Sequence, residues 1–235
     1  MITVLTWLWR QPQMRTVYTA QHVNIWASMV SRNLSMPHDL ACVTNMPEGI
    51  APDVRIITPP GDFDGMQTPR WSNGRPSCFR RLAMFRRDAA EVFGGRFVCM
   101  DLDVVIAGSL DPLFDRRDDL VLFKGTKPGR PYNGSMALIR AGCRPQVYEE
   151  FTQTGAVEAG ERFAGSDQAW LAHILGPGEA TWSEADGVYW YNRRRLPRPM
   201  PRLMFFPGSL KPWTVAAFDK SVGAHYRITD QREAA

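Results

Sequence analysis

The sequence has few cysteines, few histidines and no long apolar run. Its 235 residues include 4 Cys and 4 His, with no C-x-x-C pair and no histidine spacing to match one. The cysteines are Cys42, Cys78, Cys99 and Cys143. We expect reduced, structural thiols in a cytoplasmic protein. The apolar start, Met1 to Trp9, ends at Arg10 after too few residues for a membrane span, so we expect a buried strand and no leader.

Repeats and low-complexity tracts are also lacking. Hydrophobic residues make up 44% of the chain and charged residues 22%, which is typical of a soluble globular protein. A chain of this length can bury a large core, and we expect one domain, with disorder confined to the tail Asp230 to Ala235.

Two aspartates interrupt the most apolar stretch of the chain, Phe97 to Ala107. Asp101 and Asp103 fall between two runs with the length and β-branched content of buried strands. Residues i and i+2 of an extended segment point the same way, so both carboxylates would face one spot and need a counter-charge. A divalent cation is the obvious candidate, and aspartates that cap a turn or helix are the alternative.

A second D-x-D triplet, Asp62-Phe63-Asp64, serves as an internal control. Pro59-Pro60-Gly61 precedes it and Gly65 follows. This composition predicts a solvated turn whose aspartates face water. Context therefore favours only the first pair as metal ligands.

Strand and helix patterns alternate along the chain. Strands are predicted at Thr3–Trp9, Asp39–Thr44, Val54–Ile57, Phe97–Met100, Val104–Ala107, Asp118–Lys124 and Ser135–Arg140, and helices at Ala20–Leu34, Cys78–Phe93, Pro145–Thr152 and Ser166–Ile174, with polar loops at 11–16 and 58–76. This order predicts an α/β fold with a mostly parallel sheet covered on both faces and a site at the carboxyl ends of its strands.

Five separated motifs together resemble a known family. They are FRRLAMF from Phe79, FVCMDLDVVIAGSLDPLF from Phe97, YNGSMALI from Tyr132, GSDQAWL from Gly165 and FFPGSLKPW from Phe205. In this order they resemble the retaining, metal-dependent glycosyltransferases of the GT-A fold, in particular glycosyltransferase family 8. The resemblance implies a nucleotide-binding half over residues 1–125, a donor-sugar and acceptor half over 126–229, and transfer of a hexose from a UDP-sugar.

The resemblance also implies site residues. Asp101 and Asp103 match ligands of Mn²⁺ or Mg²⁺, a metal that would stabilise the leaving diphosphate. Gln168 matches the residue facing the reacting sugar carbon, beside Asp167. The implied donor contacts are Tyr18, Arg81, Leu102, Asn133, Asp167, Gly208 and Lys211. For Tyr18 and Arg81, ordinary roles in a loop or on a helix surface stay open.

One position departs from the family pattern. Phe205 stands where the last motif usually begins with a histidine that completes the metal shell, and phenylalanine cannot ligate a cation. His225 is close in sequence and could substitute, although a lone histidine is more often packed or solvated. Otherwise water or the donor phosphates would have to fill the shell.

A basic, proline-rich stretch leaves two interpretations open. Net charge is +4, and the stretch contains Arg193, Arg194, Arg195, Arg198 and Arg202. It is either a solvated loop or a surface for substrate phosphates or an anionic membrane at the cytoplasmic face. Nucleic acid is disfavoured because no recognised nucleic-acid module accompanies it.

Two other functions remain open. The first is a sugar-nucleotide-binding protein without turnover, suggested by Phe205. The second is nucleotidyl transfer, which is disfavoured because no glycine-rich phosphate loop opens the first helix.

Overall fold

A seven-stranded sheet forms the centre of the molecule. The structure is a computed structural model, and it describes residues 1–10, 16–66, 77–127, 129–193 and 199–228. Within them the strands are β1 (Ile2–Leu8), β2 (His38–Thr44), β3 (Val54–Ile57), β4 (Arg96–Met100), β5 (Val104–Ile106), β6 (Leu120–Lys124), β7 (Tyr132–Arg140), β8 (Ala180–Trp182), β9 (Val188–Trp190) and β10 (Leu203–Phe205).

The helices of the described residues include one long amphipathic element and several short ones. The α-helices are α1 (Ala20–Asn33), α2 (Ala89–Phe93), α3 (Asp111–Phe114), α4 (Gln146–Glu149), α5 (Gln153–Phe163), α6 (Asp167–Leu175), α7 (Pro212–Ala216) and α8 (Lys220–His225), and 3-10 helices span Phe79–Phe85 and Glu184–Asp186.

The sheet is mostly parallel, as the sequence predicts. Its strand order is β3-β2-β1-β4-β7-β6-β8. Neighbours pair in parallel except on the two sides of β7, which runs antiparallel to both β4 and β6. A second, three-stranded sheet joins β5, β10 and β9. The reversal of β7 brings its first residues to the edge where the other strands end, which is the edge with the predicted site.

Each face of the main sheet packs against its own apolar layer. Successive strand residues point to opposite faces, so Val98 packs with α1 on one side while Phe97 packs with the 3-10 helix Phe79–Phe85 on the other. The helix α1 contributes Val23, Trp26 and Val30 at three- and four-residue steps. The predicted two-sided burial is confirmed.

The helix predicted over Cys78–Phe93 is wrong in form. The chain makes a 3-10 helix, opens at Arg86 with a ψ of 151°, and then forms α2. Arg86 donates from Nε and Nη2 to both carboxylate oxygens of Asp88, at 2.8 and 2.6 Å, and this local pair occupies the break. All seven residues of the 3-10 helix are buried, including Arg80 and Arg81, so both arginines lie inside the protein and not on a helix surface.

The second D-x-D triplet is also less solvated than predicted. Asp62 accepts hydrogen bonds from Arg86 Nη1 at 3.2 Å and from the Tyr148 hydroxyl at 2.9 Å. Asp64 pairs with Arg80 at 2.5 Å, although its own side chain is 57% exposed. The Phe63 ring packs on Tyr148 and Phe151. The turn is a docked loop, because Arg80 of the 3-10 helix and Arg86 directly after it attract its carboxylates.

Several elements were not predicted. The helix α5, the strands β8 to β10 and the helices α7 and α8 have no counterpart among the predicted elements. The strands β1 to β4 match their predictions within one residue at each end, and β7 begins three residues before its predicted start. The short β8, β9 and β10 have three residues each, too few for periodicity to appear. The polar segment 11–15 and most of the predicted loop after Met66 lie outside the described residues.

Candidate functional site

The predicted aspartates lie at the carboxyl edge of the main sheet. Asp101 directly follows β4, and its backbone N–H donates to the Ser135 carbonyl at 2.9 Å. This bond continues the antiparallel pairing of β4 and β7 by one residue, so the end of β4 and the start of β7 form one surface. Leu102 is buried with its side chain in the core, which leaves only its backbone to face a ligand.

Arg81 connects four of the predicted motifs. Its side chain is 9% exposed, and Nη1 donates to Asp101 Oδ1 at 2.9 Å. Nη2 donates to the Gly134 carbonyl at 2.5 Å, and Nε lies 3.6 Å from Asp167 Oδ2. Burial lowers the pKa of Arg81, but the two carboxylates outweigh it and hold this pKa well above its usual value. Arg81 is therefore a fixed cation between two carboxylates.

Asp167 begins α6 and is buried against Arg81. Its Oδ1 accepts from the Gln168 backbone N–H at 2.9 Å and from the Ser166 hydroxyl at 3.2 Å. Burial raises the pKa of Asp167, Arg81 lowers it, and Asp101 raises it further. The net direction is upward. A Cβ at position 134 would lie 3.3 Å from Asp167 Oδ2, so Gly134 lets the carboxylate approach the backbone of β7.

Gln168 folds back over a glycine. A Cβ at position 165 would lie 2.8 Å from Gln168 Cγ and 2.9 Å from Nε2, closer than real contacts allow. Gly165 therefore makes room for this side chain. Asn133, on β7, is 3% exposed, and its Oδ1 accepts from the Ser135 backbone N–H at 2.9 Å. This bond fixes the orientation of the amide, so the side-chain NH₂ is the group it can offer to a ligand.

Asp103 is held by the last motif. Lys211 Nζ forms a very short contact with Asp103 Oδ2, and the Tyr18 hydroxyl donates to the same oxygen at 3.1 Å. Lys211 also donates to the Tyr18 hydroxyl at 3.0 Å, which closes a triangle of three side chains. Burial raises the pKa of Asp103, the neighbouring Asp101 raises it further, and Lys211 and Tyr18 oppose both effects.

Aromatic rings surround this triangle. The Tyr18 ring meets His22 and Trp213 edge to face, with both centroid distances at 5.8 Å, and His22 packs on Trp213 at 4.2 Å. Burial lowers the pKa of His22, because the neutral imidazole is favoured there. Gly208 precedes Lys211 in a turn and has a φ of 62°, a conformation that favours glycine. Such flat, half-buried faces suit a planar base.

The expected metal shell is not assembled. In the residues that the structure describes, no three His, Cys, Asp or Glu side chains form a group that could hold a metal ion. Phe205 is 1% exposed and packs on Phe123 with centroids 5.4 Å apart. His225 lies near Arg32 and Arg227. Its pKa is lowered mainly by burial and further by the positive charges of these two arginines. The structure therefore does not bring His225 to Asp101 and Asp103 as a third ligand.

The donor set at the two aspartates does not fit a resident divalent cation. Asp101 is bound to a guanidinium and Asp103 to an ammonium, so each carboxylate already has a cationic partner. Lys211 contacts Oδ2 of Asp103 and Arg81 contacts Oδ1 of Asp101, so a metal could use only the second oxygen of each carboxylate and would lie beside two existing cations, which is electrostatically unfavourable. The chemistry of this set matches paired ions better than a metal shell.

Besides His22, two site residues were missed by sequence reasoning. Tyr226 is buried, its pKa is raised first by burial and then by the charge of Asp103, and its hydroxyl has no hydrogen-bond partner in the described part of the chain. Arg130 is also buried, donates to the Ala164 carbonyl at 2.6 Å and is close enough to interact with Asp167. Neither position shows a sequence signal, since both lie outside the five motifs.

The cysteines are free, as expected. Cys78 and Cys99 lie beside Arg81, and burial is the main cause that raises their pKa values to about 12 and about 11. Such thiols are poor nucleophiles at neutral pH. They pack the site and take no chemical role.

The basic stretch is only partly described. Arg193 lies over the Phe218 ring at 5.3 Å and Arg202 donates to the Ser109 carbonyl at 3.2 Å, whereas Arg194, Arg195 and Arg198 fall outside the described residues. Within the described ranges, every helix is too short or too polar to cross a membrane.

Comparison with known proteins identifies the fold. Neither a protein-family model nor a curated protein matches the chain. It is similar to the galactosyltransferase LgtC solved with donor and acceptor sugar analogs, at 14% identity and a TM-score of 0.59, over 99% of each chain. It is also similar to the glycosyltransferase GlyE of Streptococcus pneumoniae TIGR4, at 13% identity and a TM-score of 0.57, over 91% of this chain and 57% of that one.

A third similar structure is the bifunctional glycosyltransferase WbbM, at 12% identity and a TM-score of 0.55, over 90% of this chain and 46% of that one. The chain thus spans about half the length of GlyE and WbbM and nearly all of LgtC. These similarities confirm the predicted GT-A fold.

Proposed function

We propose that this chain transfers a hexose from a nucleotide sugar, most simply a UDP-sugar, to an acceptor hydroxyl with retention of anomeric configuration. One observation carries the proposal. Five motifs separated in sequence are joined by direct contacts at one edge of the sheet, through Arg81 to Asp101, Gly134 and Asp167, and through Asp103 to Lys211. This edge is where open α/β sheets bind ligands.

Each side chain has a task in the proposed reaction. Lys211 and Arg81 are the cations that can stabilise the diphosphate as negative charge develops on it. Asp167 accepts hydrogen bonds from sugar hydroxyls, and the Asn133 amide donates to them. Gln168 lies next to Asp167 and would face the sugar carbon. The rings of Tyr18, His22 and Trp213 suit the uracil base.

Dependence on Mn²⁺ or Mg²⁺ is a prediction of the resemblance. The proposed reaction has no step on a metal, because Asp101 and Asp103 with their cationic partners do not fit one. The acceptor is proposed to be a glycan hydroxyl, by analogy with the LgtC structure that holds an acceptor sugar analog. The basic stretch favours a phosphorylated or membrane-associated acceptor at the cytoplasmic face.

The test is release of UDP. Purified protein is incubated with each common UDP-sugar and candidate acceptor sugars, with Mn²⁺ and, separately, with a chelator. UDP release that depends on Asp167 and yields an α-linked product from an α-linked donor supports the proposal. The matched control is Arg87→Met, since Arg87 lies outside the site and its side chain pairs with Glu149 in the described part of the chain. Absence of UDP release from every donor under both conditions would refute it.

A non-catalytic sugar-nucleotide-binding protein is the second candidate, and one observation favours it. Phe205 removes a ligand that the resemblance expects, which would leave a binding site without full catalytic equipment. In that case UDP-sugars bind, but neither UDP nor pyrophosphate is released. Release of pyrophosphate from a nucleoside triphosphate and a sugar phosphate would instead indicate nucleotidyl transfer.

A further inference from the structure

The side chain that neutralises Asp103 is a buried lysine. The side chain of Lys211 is 7% exposed and that of Asp103 16%, and the ammonium contacts Asp103 Oδ2 directly. Asp103 and the Tyr18 hydroxyl accept two of its N–H donors. An ammonium carries three donors, so among the described residues one remains for a ligand oxygen. The lysine is therefore placed as both the partner of Asp103 and a donor to an incoming anion.

The charges of the site are already balanced by side chains. Three carboxylates, Asp101, Asp103 and Asp167, face the basic side chains of Arg81, Lys211 and Arg130. A divalent cation at the aspartates would add two positive charges to this balanced set. The incoming diphosphate is negative, and the Lys211 ammonium at Asp103 is a cation of this set with an N–H donor to offer it.

The residue that would complete a metal shell is absent from the same place. The backbone N–H of Phe206 donates to the Asp103 carbonyl at 2.9 Å, so β10 lies against the aspartate. The strand presents Phe205 to the core, where it packs on Phe123. Phe205 replaces an expected metal ligand, and Lys211 pairs with Asp103. These two features are independent, and both indicate a site without a metal.

We propose that Lys211 takes the place of the divalent cation, so that the chain binds the diphosphate of its donor, and releases UDP, without a metal. This inference rests on the proposed function. In the transfer, the bond from the sugar carbon to the β-phosphate oxygen breaks and its electron pair stays on that oxygen. The acceptor oxygen forms the new bond to the carbon, and its proton leaves with UDP or to water. The Lys211 ammonium stabilises the charge that develops on the phosphate oxygen.

The neighbouring tyrosine fits this arrangement. The buried Tyr226 hydroxyl has no hydrogen-bond partner in the described residues, and its pKa is raised by burial and by the charge of Asp103. A buried hydroxyl without a partner is costly, and a phosphate oxygen would satisfy it. The site thus offers neutral and cationic donors to an anion in the region where a metal was expected.

The experiment measures UDP binding by titration calorimetry in the presence of EDTA and of Mn²⁺. We expect the dissociation constant of the unmodified chain to agree within about twofold between the two conditions. Lys211→Met should weaken binding in EDTA by roughly 10- to 100-fold, the usual loss for a charge-assisted hydrogen bond. Lys211→Arg keeps the charge and should recover part of the affinity. Lys220→Met removes an exposed lysine of α8 and should change nothing.

Two results would overturn the inference. The first is UDP binding that appears only with Mn²⁺ or tightens more than about tenfold with it. The second is Lys211→Met protein that stays folded by circular dichroism and binds UDP in EDTA as tightly as the unmodified chain. If the single variant unfolds, the neutral pair Asp103→Asn with Lys211→Met is measured by the same criteria.

Failure of the proposed function would give other results in the same experiments than failure of this inference. No UDP binding under any condition would remove the donor site and this inference with it. Metal-free, Lys211-dependent binding of UDP without turnover of any UDP-sugar would support the assignment of Lys211 to the diphosphate, while removing the transferase proposal and with it the metal-free release of UDP.

Discussion

Replacing Arg81 by Met should destabilise the fold more than any change at a surface arginine. The methionine keeps much of the packing but leaves Asp101 and Asp167 without the guanidinium that lies between them. The side chains of Arg81 and Asp167 are only 9% and 11% exposed, so water replaces the lost contact poorly. Breaking a buried ion pair by removing one partner costs about 3–5 kcal/mol. For a chain of this size we expect Tm to fall by roughly 6–20 °C.

The loss should be measured by urea unfolding and by calorimetry, at neutral pH and again at acidic pH. At low pH the two carboxylates bind protons and no longer need a counter-charge, so the cost of Arg81→Met should shrink. Asp167→Asn in the same chain should recover part of the loss, because it removes one unpaired charge. The matched control is Arg87→Met, for which we expect only the small shift in the unfolding midpoint that loss of an exposed ion pair gives.

A loss below about 1 kcal/mol would refute this reasoning, since that is the value of a surface ion pair. A loss that is the same at neutral and acidic pH would also refute it. It would mean that packing, and not the charge of Arg81, stabilises this part of the fold.

Three further predictions concern the other charged groups. Asp103→Asn should slow UDP release while circular dichroism shows an intact fold, because Lys211 loses the carboxylate that positions it; unchanged turnover would exclude Asp103 from the site. Burial raises the pKa of Asp167, so the folded chain holds this proton to higher pH than the unfolded chain. Its contribution to the free energy of unfolding should therefore fall as pH rises from the ordinary carboxyl range through the raised value, and Asp167→Asn should flatten that slope in pH-dependent urea melts. His225→Ala should leave UDP release unchanged both in EDTA and in Mn²⁺, because His225 lies beside Arg32 and Arg227; a response to Mn²⁺ that the unmodified chain shows and the variant lacks would restore it as a ligand.

The part of the fold that follows from local pattern was predictable. The strands at Val54–Ile57 and Arg96–Met100 and the helix α1 have apolar residues in runs or at helical spacing. The helix α5 was missed because its buried face uses small residues. A Cβ at Gly155 would lie 2.9 Å from the Trp170 ring, so glycine is required there by a neighbour that local pattern cannot show.

The break in the helix predicted over Cys78–Phe93 has a similar cause. Apolar residues recur through this segment with helical spacing, and nothing in that spacing marks Arg86 as extended. The contacts that favour the break are polar and include a distant residue: Arg86 pairs with Asp88 and also with Asp62, 24 residues away. Periodicity records which residues are apolar, but not which charged residues will meet.

The two central aspartates show the same limit. Their spacing correctly indicated that two neighbouring carboxylates need positive charge, and a metal was the simplest source of it. The structure gives each carboxylate its own cation: Arg81 at Asp101, 20 residues away, and Lys211 at Asp103, 108 residues away. The demand for charge is local and can be derived from the sequence. Which cation neutralises the aspartates depends on tertiary contacts. The same D-x-D triplet is therefore compatible with a metal in one member of a fold and with a lysine in another. Measurement of UDP binding without metal distinguishes the two.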